Sequence, residues 1–215
     1  MHQPLHIVIL AAGKGTRMYS ALPKVLHRIG GQTMLERVID TAQSLSPQSI
    51  NVVIGHGKEQ VREQVQREGI RWVEQIEQLG TGHAVQTALP HLGNTGRTLV
   101  LYGDVPLINR ATLEELLQAA GNEIGLLTDI PPNPFGLGRI IREANGQVAA
   151  IVEEKDATPE QKAIRETNTG IFVLPNAHLA CWLGSLLSLS PPLPPPAGGK
   201  FAASVLMPFP FASFP

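Results

Sequence analysis

Apolar residues follow two alternating rhythms through the first 130 residues of this chain. Leu5–Leu10, with Ile7, Val8 and Ile9 at its centre, is a near-continuous apolar run, the pattern of a strand covered on both faces. Arg97–Tyr102 reads the same way, and Asn51–Ile54, Arg71–Val73 and Ile124–Thr128 are shorter runs of that kind. Between them the period lengthens. Leu35, Val38, Ile39, Ala42 and Leu45 fall at helical spacing, and Thr33 with Glu36 forms a capping box at the start of that helix. Lys58–Arg67 predicts a polar helix with Val61 and Val65 turned inward, and Thr81–Leu89 a helix entered through Gly80-Thr81-Gly82. Leu113, Leu116, Leu117 and Ala120 mark one more helix, stopped by Gly121. Strands alternating with helices predict the α/β class, with a mostly parallel sheet and helices on both faces.

From Asn133 the texture changes. Residues 136–148 predict a β-hairpin turning at Asn145-Gly146, continued by a strand at Val148–Val152. Thr167–Val173 reads as a further strand and Ala177–Leu187 as an amphipathic helix. Beyond Glu166 there is no acidic residue, and beyond Arg165 the only Lys or Arg is Lys200. Residues 190–215 are rich in proline and have neither helical nor strand periodicity, so no regular element is expected there. A solvated linker usually carries charge. The expectation is therefore a domain over 1–183 that is incomplete at its C-terminal side, followed over 184–215 by a disordered or non-native tail, such as an out-of-frame translation.

Composition narrows the partners. With 17 Lys plus Arg against 18 Asp plus Glu, no basic stripe argues for nucleic acid. Aromatic residues are 5% of the chain, too few for base-stacking platforms. The single cysteine, Cys181, allows no intrachain disulfide and suits a reducing compartment. No apolar run reaches membrane-spanning length, so a cytoplasmic chain without a membrane partner is expected.

The candidate chemistry begins where the first strand ends. Leu10-Ala-Ala-Gly-Lys-Gly-Thr-Arg-Met18 is a glycine-rich turn whose Gly13 and Gly15 can bare backbone N–H groups to an anion. Lys14, Arg17 and Lys24 (the last preceded by Leu22-Pro23) supply positive charge for a polyphosphate. It is not a P-loop, because the upstream glycine is missing and Lys14 is followed by glycine. Nor is it a dinucleotide fingerprint, because Met18 stands where the third glycine belongs. Gln75 and Gly103-Asp104 also follow strands, so they and the turn are expected on one rim, at the carboxyl ends of the strands, where such sheets bind ligands. Asp104 suits either a Mg²⁺ ligand or a turn cap. Gln75 is a neutral donor–acceptor that suits a uracil edge, or else polar surface. The seven histidines form no metal-spaced pair, and His83 is expected to pack or hydrogen-bond near its helix start.

Taken together, these segments resemble the N-terminal uridylyltransferase domain of the bacterial bifunctional N-acetylglucosamine-1-phosphate uridylyltransferase/glucosamine-1-phosphate acetyltransferase family. The resemblance rests on Leu10–Met18, Leu22–His27, Glu77–Ala84, Leu101–Leu107, Ile151-Val-Glu153, Lys155–Thr158 and Asn168–Ile171, in that order, and covers residues 5–183. It implies a Rossmann-like, GT-A-like nucleotidyltransferase with a hairpin extension for the sugar. The implied reaction joins UTP and N-acetylglucosamine 1-phosphate to give UDP-N-acetylglucosamine and pyrophosphate, with Mg²⁺ as cofactor. Arg17 and Lys24 are implied as the catalytic cations and Asp104 as the metal ligand. Leu10, Ala11, Ala12, Gly13, Gly15, Gln75, Gly80, Thr81, Tyr102 and Gly103 are implied on the nucleotide side, and Gly138, Glu153 and Asn168 on the sugar side.

The chain departs from that pattern in two places. Leu137 stands where the family usually has tyrosine between two glycines, which bears on sugar specificity. The Tyr-Tyr-Leu-Thr-Asp-like stretch, the later asparagine that is a second metal ligand, and the trimerisation domain have no counterpart. The expectation is nucleotide binding with little turnover. Two other readings stay open, namely a guanylyl- or cytidylyltransferase-like enzyme and an inactive nucleotide-binding fragment.

Overall fold

The computed structural model describes residues 3–13, 20–187 and 201–206. They fall into two compact units, Met1–Ala111 with Leu174–Pro192, and Thr112–Val173 with Leu193–Pro215. In chain order the first unit holds β1 (Leu5–Ala11), β2 (Arg28–Ile29), β3 (Gln32–Thr33), α1 (Met34–Ser44), β4 (Ser49–Ile54), α2 (Lys58–Gln64), β5 (Ile70–Glu74), α3 (Thr81–Ala88) and β6 (Arg97–Tyr102). Then follow α4 (Arg110–Ala120), β7 (Ile124–Asp129), β8 (Arg139–Arg142), β9 (Val148–Val152), α5 (Pro159–Lys162), β10 (Thr167–Pro175), α6 (Asn176–Leu187) and β11 (Phe201–Leu206).

In the first unit β6, β1, β4 and β5 lie side by side and parallel. Ile7, Val8 and Ile9 are all fully buried, as the unbroken apolar run predicts for a strand covered on both faces. Helix α1 buries Met34, Leu35, Val38, Ile39 and Ala42, the side picked out by its helical spacing. Its first turn closes as predicted. The Thr33 hydroxyl accepts from Glu36 N at 3.1 Å, and the Glu36 carboxylate accepts from Thr33 N at 2.8 Å. Arg67 braces the same helix from outside, donating to Glu36 at 2.9 Å and to Asp40 at 2.8 Å. The chain returns to this unit through Asn176, whose Nδ2 donates to Gly93 O at 2.8 Å and whose Oδ1 accepts from the Thr98 hydroxyl at 2.6 Å. A buried asparagine with no period around it gives no warning in the sequence of this anchor.

In the second unit β7 pairs antiparallel with β10, and β8 with β9. The predicted hairpin turn is present, with Gly146 at φ +84° and Gln147 N donating to Asn145 Oδ1 at 2.8 Å. Leu126, Ile140 and Val148 form its core, with Ile151 and Phe172 packed against them. The expectation that 190–215 holds no regular element is corrected at β11, which pairs parallel with β7. Its sequence, Phe-Ala-Ala-Ser-Val-Leu, lacks alternation, but a parallel ladder is made by main-chain groups and tolerates an unbroken apolar run. Two more differences are small. α2 ends three residues before Arg67, at Gln64, yet Val61 and Val65 are buried as expected. The two-residue ribbon β2–β3 is too short to leave a period in the sequence.

Two predictions follow from the packing of the first unit. Replacing Thr33 with Ala removes a cap that is itself buried and should cost about 1–2 kcal/mol in urea denaturation; a shift below about 0.3 kcal/mol would mean that the box carries no load. His6 is buried, 4% exposed, with Nδ1 2.8 Å from Ser49 Oγ, and burial holds its pKa below the ordinary value. The unfolded chain then binds the proton more readily, so stability is full above about pH 6.5 and falls as the pH drops through the folded pKa. The wild type should lose stability between pH 7.5 and 5 faster than His6→Gln does; parallel losses would refute the assignment.

Candidate nucleotide site

Strand register brings the predicted nucleotide residues to one rim. Ala11 lies beside Ile54, Ile54 beside Glu74, and Leu10 beside Tyr102, so β1, β4, β5 and β6 end together. The residues that follow are tied by main-chain hydrogen bonds. Gly103 N donates to Leu10 O at 2.9 Å and Gln75 N to Ile54 O at 2.8 Å. Ala12, Gly55, Gln75 and Gly103-Asp104 therefore form a continuous row of backbone at the carboxyl ends of parallel strands, the expected place for a ligand. Gly13, Gly80 and Thr81 are exposed on the same unit. Gly15 and Arg17, the other half of the phosphate turn, lie outside the described residues.

Lys24 is delivered to this rim by its neighbours. Pro23 opens a single 3₁₀ turn, Lys24–Leu26, in which Val25 and Leu26 are buried. Pro23 packs over Gly57, which sits at φ +68° ahead of α2 and whose missing Cβ would come 2.5 Å from the proline Cγ. Held this way, Lys24 Nζ lies 3.0 Å from Asp104 Oδ2, with both side chains about 30% exposed. Sequence spacing suggested each residue separately and missed their pairing, because 80 residues separate them. Gly103 is glycine for space. A Cβ there would meet Leu35 Cδ1 at 3.1 Å and Ala11 Cβ and Val25 Cγ1 at 3.3 Å.

Gln75 is buried, 5% exposed, which rules out the polar-surface alternative. Its Nε2 donates to Gly80 O at 3.3 Å and to His83 Nδ1 at 3.0 Å. His83 thus hydrogen-bonds at its helix start, as expected. Gln78 was not foreseen. Its Nε2 donates to Ala12 O at 2.9 Å and ties the loop before α3 to the end of β1. Beside Gln75, the Glu74 carboxylate is held below the usual carboxylate range by hydrogen bonds from Lys58 and Arg62, both 2.7 Å long.

The three residues expected on the sugar side lie in the second unit, where Gly138 meets the other two. Asn168 N donates to Gly138 O at 2.9 Å. A Cβ on Gly138 would stand 3.4 Å from Glu153 Oε1 and 3.3 Å from Ile151 Cγ2, so the glycine leaves room for that carboxylate. Asn168 Oδ1 accepts from Gly170 N at 2.8 Å. Next to Gly138, the buried Arg139 reaches Glu154 Oε2 with Nη2 at 2.6 Å.

A family model described as the MobA-like NTP transferase domain matches residues 7–166. The chain belongs to that family. Relatives of this NTP transferase domain include the bifunctional protein GlmU of Neisseria meningitidis serogroup A, 72% identical over 184 residues, which are 86% of this chain and 40% of that protein. GlmU of Chromobacterium violaceum is 61% identical over 85% of this chain and 40% of its own length. The chain thus spans about 40% of the length of the curated relatives it matches. Among solved structures, an apo UDP-glucose pyrophosphorylase superposes with TM-score 0.69 at 16% identity, covering 85% of this chain and 80% of that one. A putative glucose-1-phosphate thymidylyltransferase from Bacillus anthracis gives 0.68 at 20%, covering 87% and 76%. These likenesses establish the Rossmann-like, GT-A-type fold of nucleotidyltransferases.

Gly103→Ala should destabilise the NTP transferase domain by about 1–3 kcal/mol, because side chains on three sides must yield. An unchanged melting temperature would show that the rim has slack.

Proposed function

We propose that this NTP transferase domain transfers UMP from UTP to N-acetylglucosamine 1-phosphate, releasing pyrophosphate. The observation that carries the reading is the rim itself, where Ala12, Gln75 and Gly103 share one row of strand ends with the Lys24–Asp104 pair, on a chain 72% identical to GlmU over 184 residues. The sugar phosphate is already an anionic nucleophile. One of its oxygens forms a bond to the α-phosphorus of UTP as the bond to the bridging oxygen of pyrophosphate breaks, so no protein nucleophile is required. What the chain supplies is position and charge. Ala11, Ala12, Gly80 and Thr81 seat the base, Gln75 reads its edge, and Tyr102 and Gly103 line the strand end beneath it. Leu10, Gly13 and Gly15 set the phosphate turn, while Arg17 and Lys24 neutralise charge that grows on the phosphoryl oxygens. Glu153 and Asn168 take the sugar's hydroxyl and acetamido groups, with the Gly138 backbone near the sugar.

The donor set at Asp104 fits magnesium. Mg²⁺ keeps waters and substrate phosphates and needs only one or two protein carboxylates. Asp104 has a carboxylate on the rim, and Lys24 engages it on one oxygen. Bound there, the ion would supply further neutralisation of the phosphates. We read the domain as 1–183 and its site of action as cytoplasmic. The lone Cys181 supports that reading.

The test separates binding from turnover. With Mg²⁺ present, UTP should bind in preference to CTP, GTP and ATP, and pyrophosphate release should require N-acetylglucosamine 1-phosphate and be slow. Lys24→Ala should lower that release at least tenfold while stability moves by no more than about 1 kcal/mol, the worth of a half-exposed ion pair. Preference for GTP or CTP would replace the uridylyl reading with another member of the class.

A further inference from the structure

The Gln75 amide is not free to choose which end it shows. Nε2 has two hydrogens, and both are spent within the first unit, one on Gly80 O at 3.3 Å and one on His83 Nδ1 at 3.0 Å. An amide nitrogen can only donate, so His83 Nδ1 must be the acceptor, and the ring carries its proton on Nε2. Among the described residues no donor is directed at Gln75 Oε1. Gly80 O alone would not fix the amide, since the loop Ile76–Gly80 is exposed. His83 sits instead in the first turn of α3, whose Ala84, Val85 and Ala88 are buried, so its acceptor is anchored to the core.

We propose that His83 is a positioning residue that makes Gln75 an acceptor toward the base and thereby sets the choice of uracil over cytosine. This rests on the uridylyltransferase reading above and deepens it. Uracil and cytosine differ in sign at ring position 3, where uracil has an N–H and cytosine a lone pair. An Oε1 fixed toward that position accepts from uracil N3–H and meets cytosine N3 lone pair to lone pair. If the amide could turn over, Nε2 would face the base and cytosine would be favoured instead. Discrimination by a buried group left unpaired is strong, so the device needs no contact between His83 and the nucleotide.

The experiment compares dissociation constants of UTP and CTP, with Mg²⁺, for the wild-type chain, His83→Ala and His83→Asn, alongside their melting curves. Asn Oδ1 occupies nearly the place of His Nδ1 and can accept the same hydrogen bond. His83→Ala should lower the UTP-to-CTP affinity ratio about tenfold, the worth of one net hydrogen bond, and His83→Asn should restore most of it. A ratio unchanged in a folded His83→Ala would overturn the proposal while leaving the uridylyl reading intact. A wild type with no preference for UTP would take both down. Nitrogen-15 NMR of the imidazole in the unliganded wild type gives a second answer that needs no variant. The Nε2–H tautomer is expected, and the Nδ1–H tautomer would overturn the proposal.

Discussion

The parallel register of β1 with β4 and β6 is the constraint from which the site follows. A strand buried on both faces cannot slip by one residue without moving its apolar side chains against the wrong layer. Once Ile7, Val8 and Ile9 are locked, Ala11, Ile54 and Tyr102 must end level, and Ile54 carries Glu74 with it. Gly103 and Gln75 are then placed by main-chain hydrogen bonds before any side chain contributes. The core of this unit and its candidate rim are one structural decision.

Each side chain on the rim is held by something behind it. Lys24 is carried by the burial of Val25 and Leu26 and by Pro23 seated on Gly57. Gln75 is held by His83 and Gly80, and Ala12 by Gln78. Preorganisation of this kind matters for phosphoryl chemistry, in which the protein forms no bond and must gain its rate from placement.

Much of this was legible from the sequence, and the limits have physical causes. The buried strands, the Thr33–Glu36 box, the hairpin turn at Asn145-Gly146 and the common rim all announce themselves through local period or local chemistry. What went unseen depends on partners far apart in the chain, such as Lys24 with Asp104, Gln78 with Ala12, and Asn176 with the loop ahead of β6. β11 escaped for a different reason. An uncharged apolar segment among prolines carries no alternation, and only an available strand edge makes it a strand. The sequence around His83 signals a local hydrogen bond, which is present; only the geometry reveals that its partner is the candidate base reader.

The Lys24–Asp104 pair also bears on how an anion first finds this rim. A cation 3.0 Å from a carboxylate is, from a Debye length away, close to a dipole. Its field falls off quickly, so Lys24 lends little to the capture of a nucleotide from bulk solvent. On the proposed function, its charge would become available only at contact, when a phosphate competes for Nζ and frees the carboxylate for a cation of its own. In that role the residue would act on the stage after encounter, as a counter-ion exchanged in place.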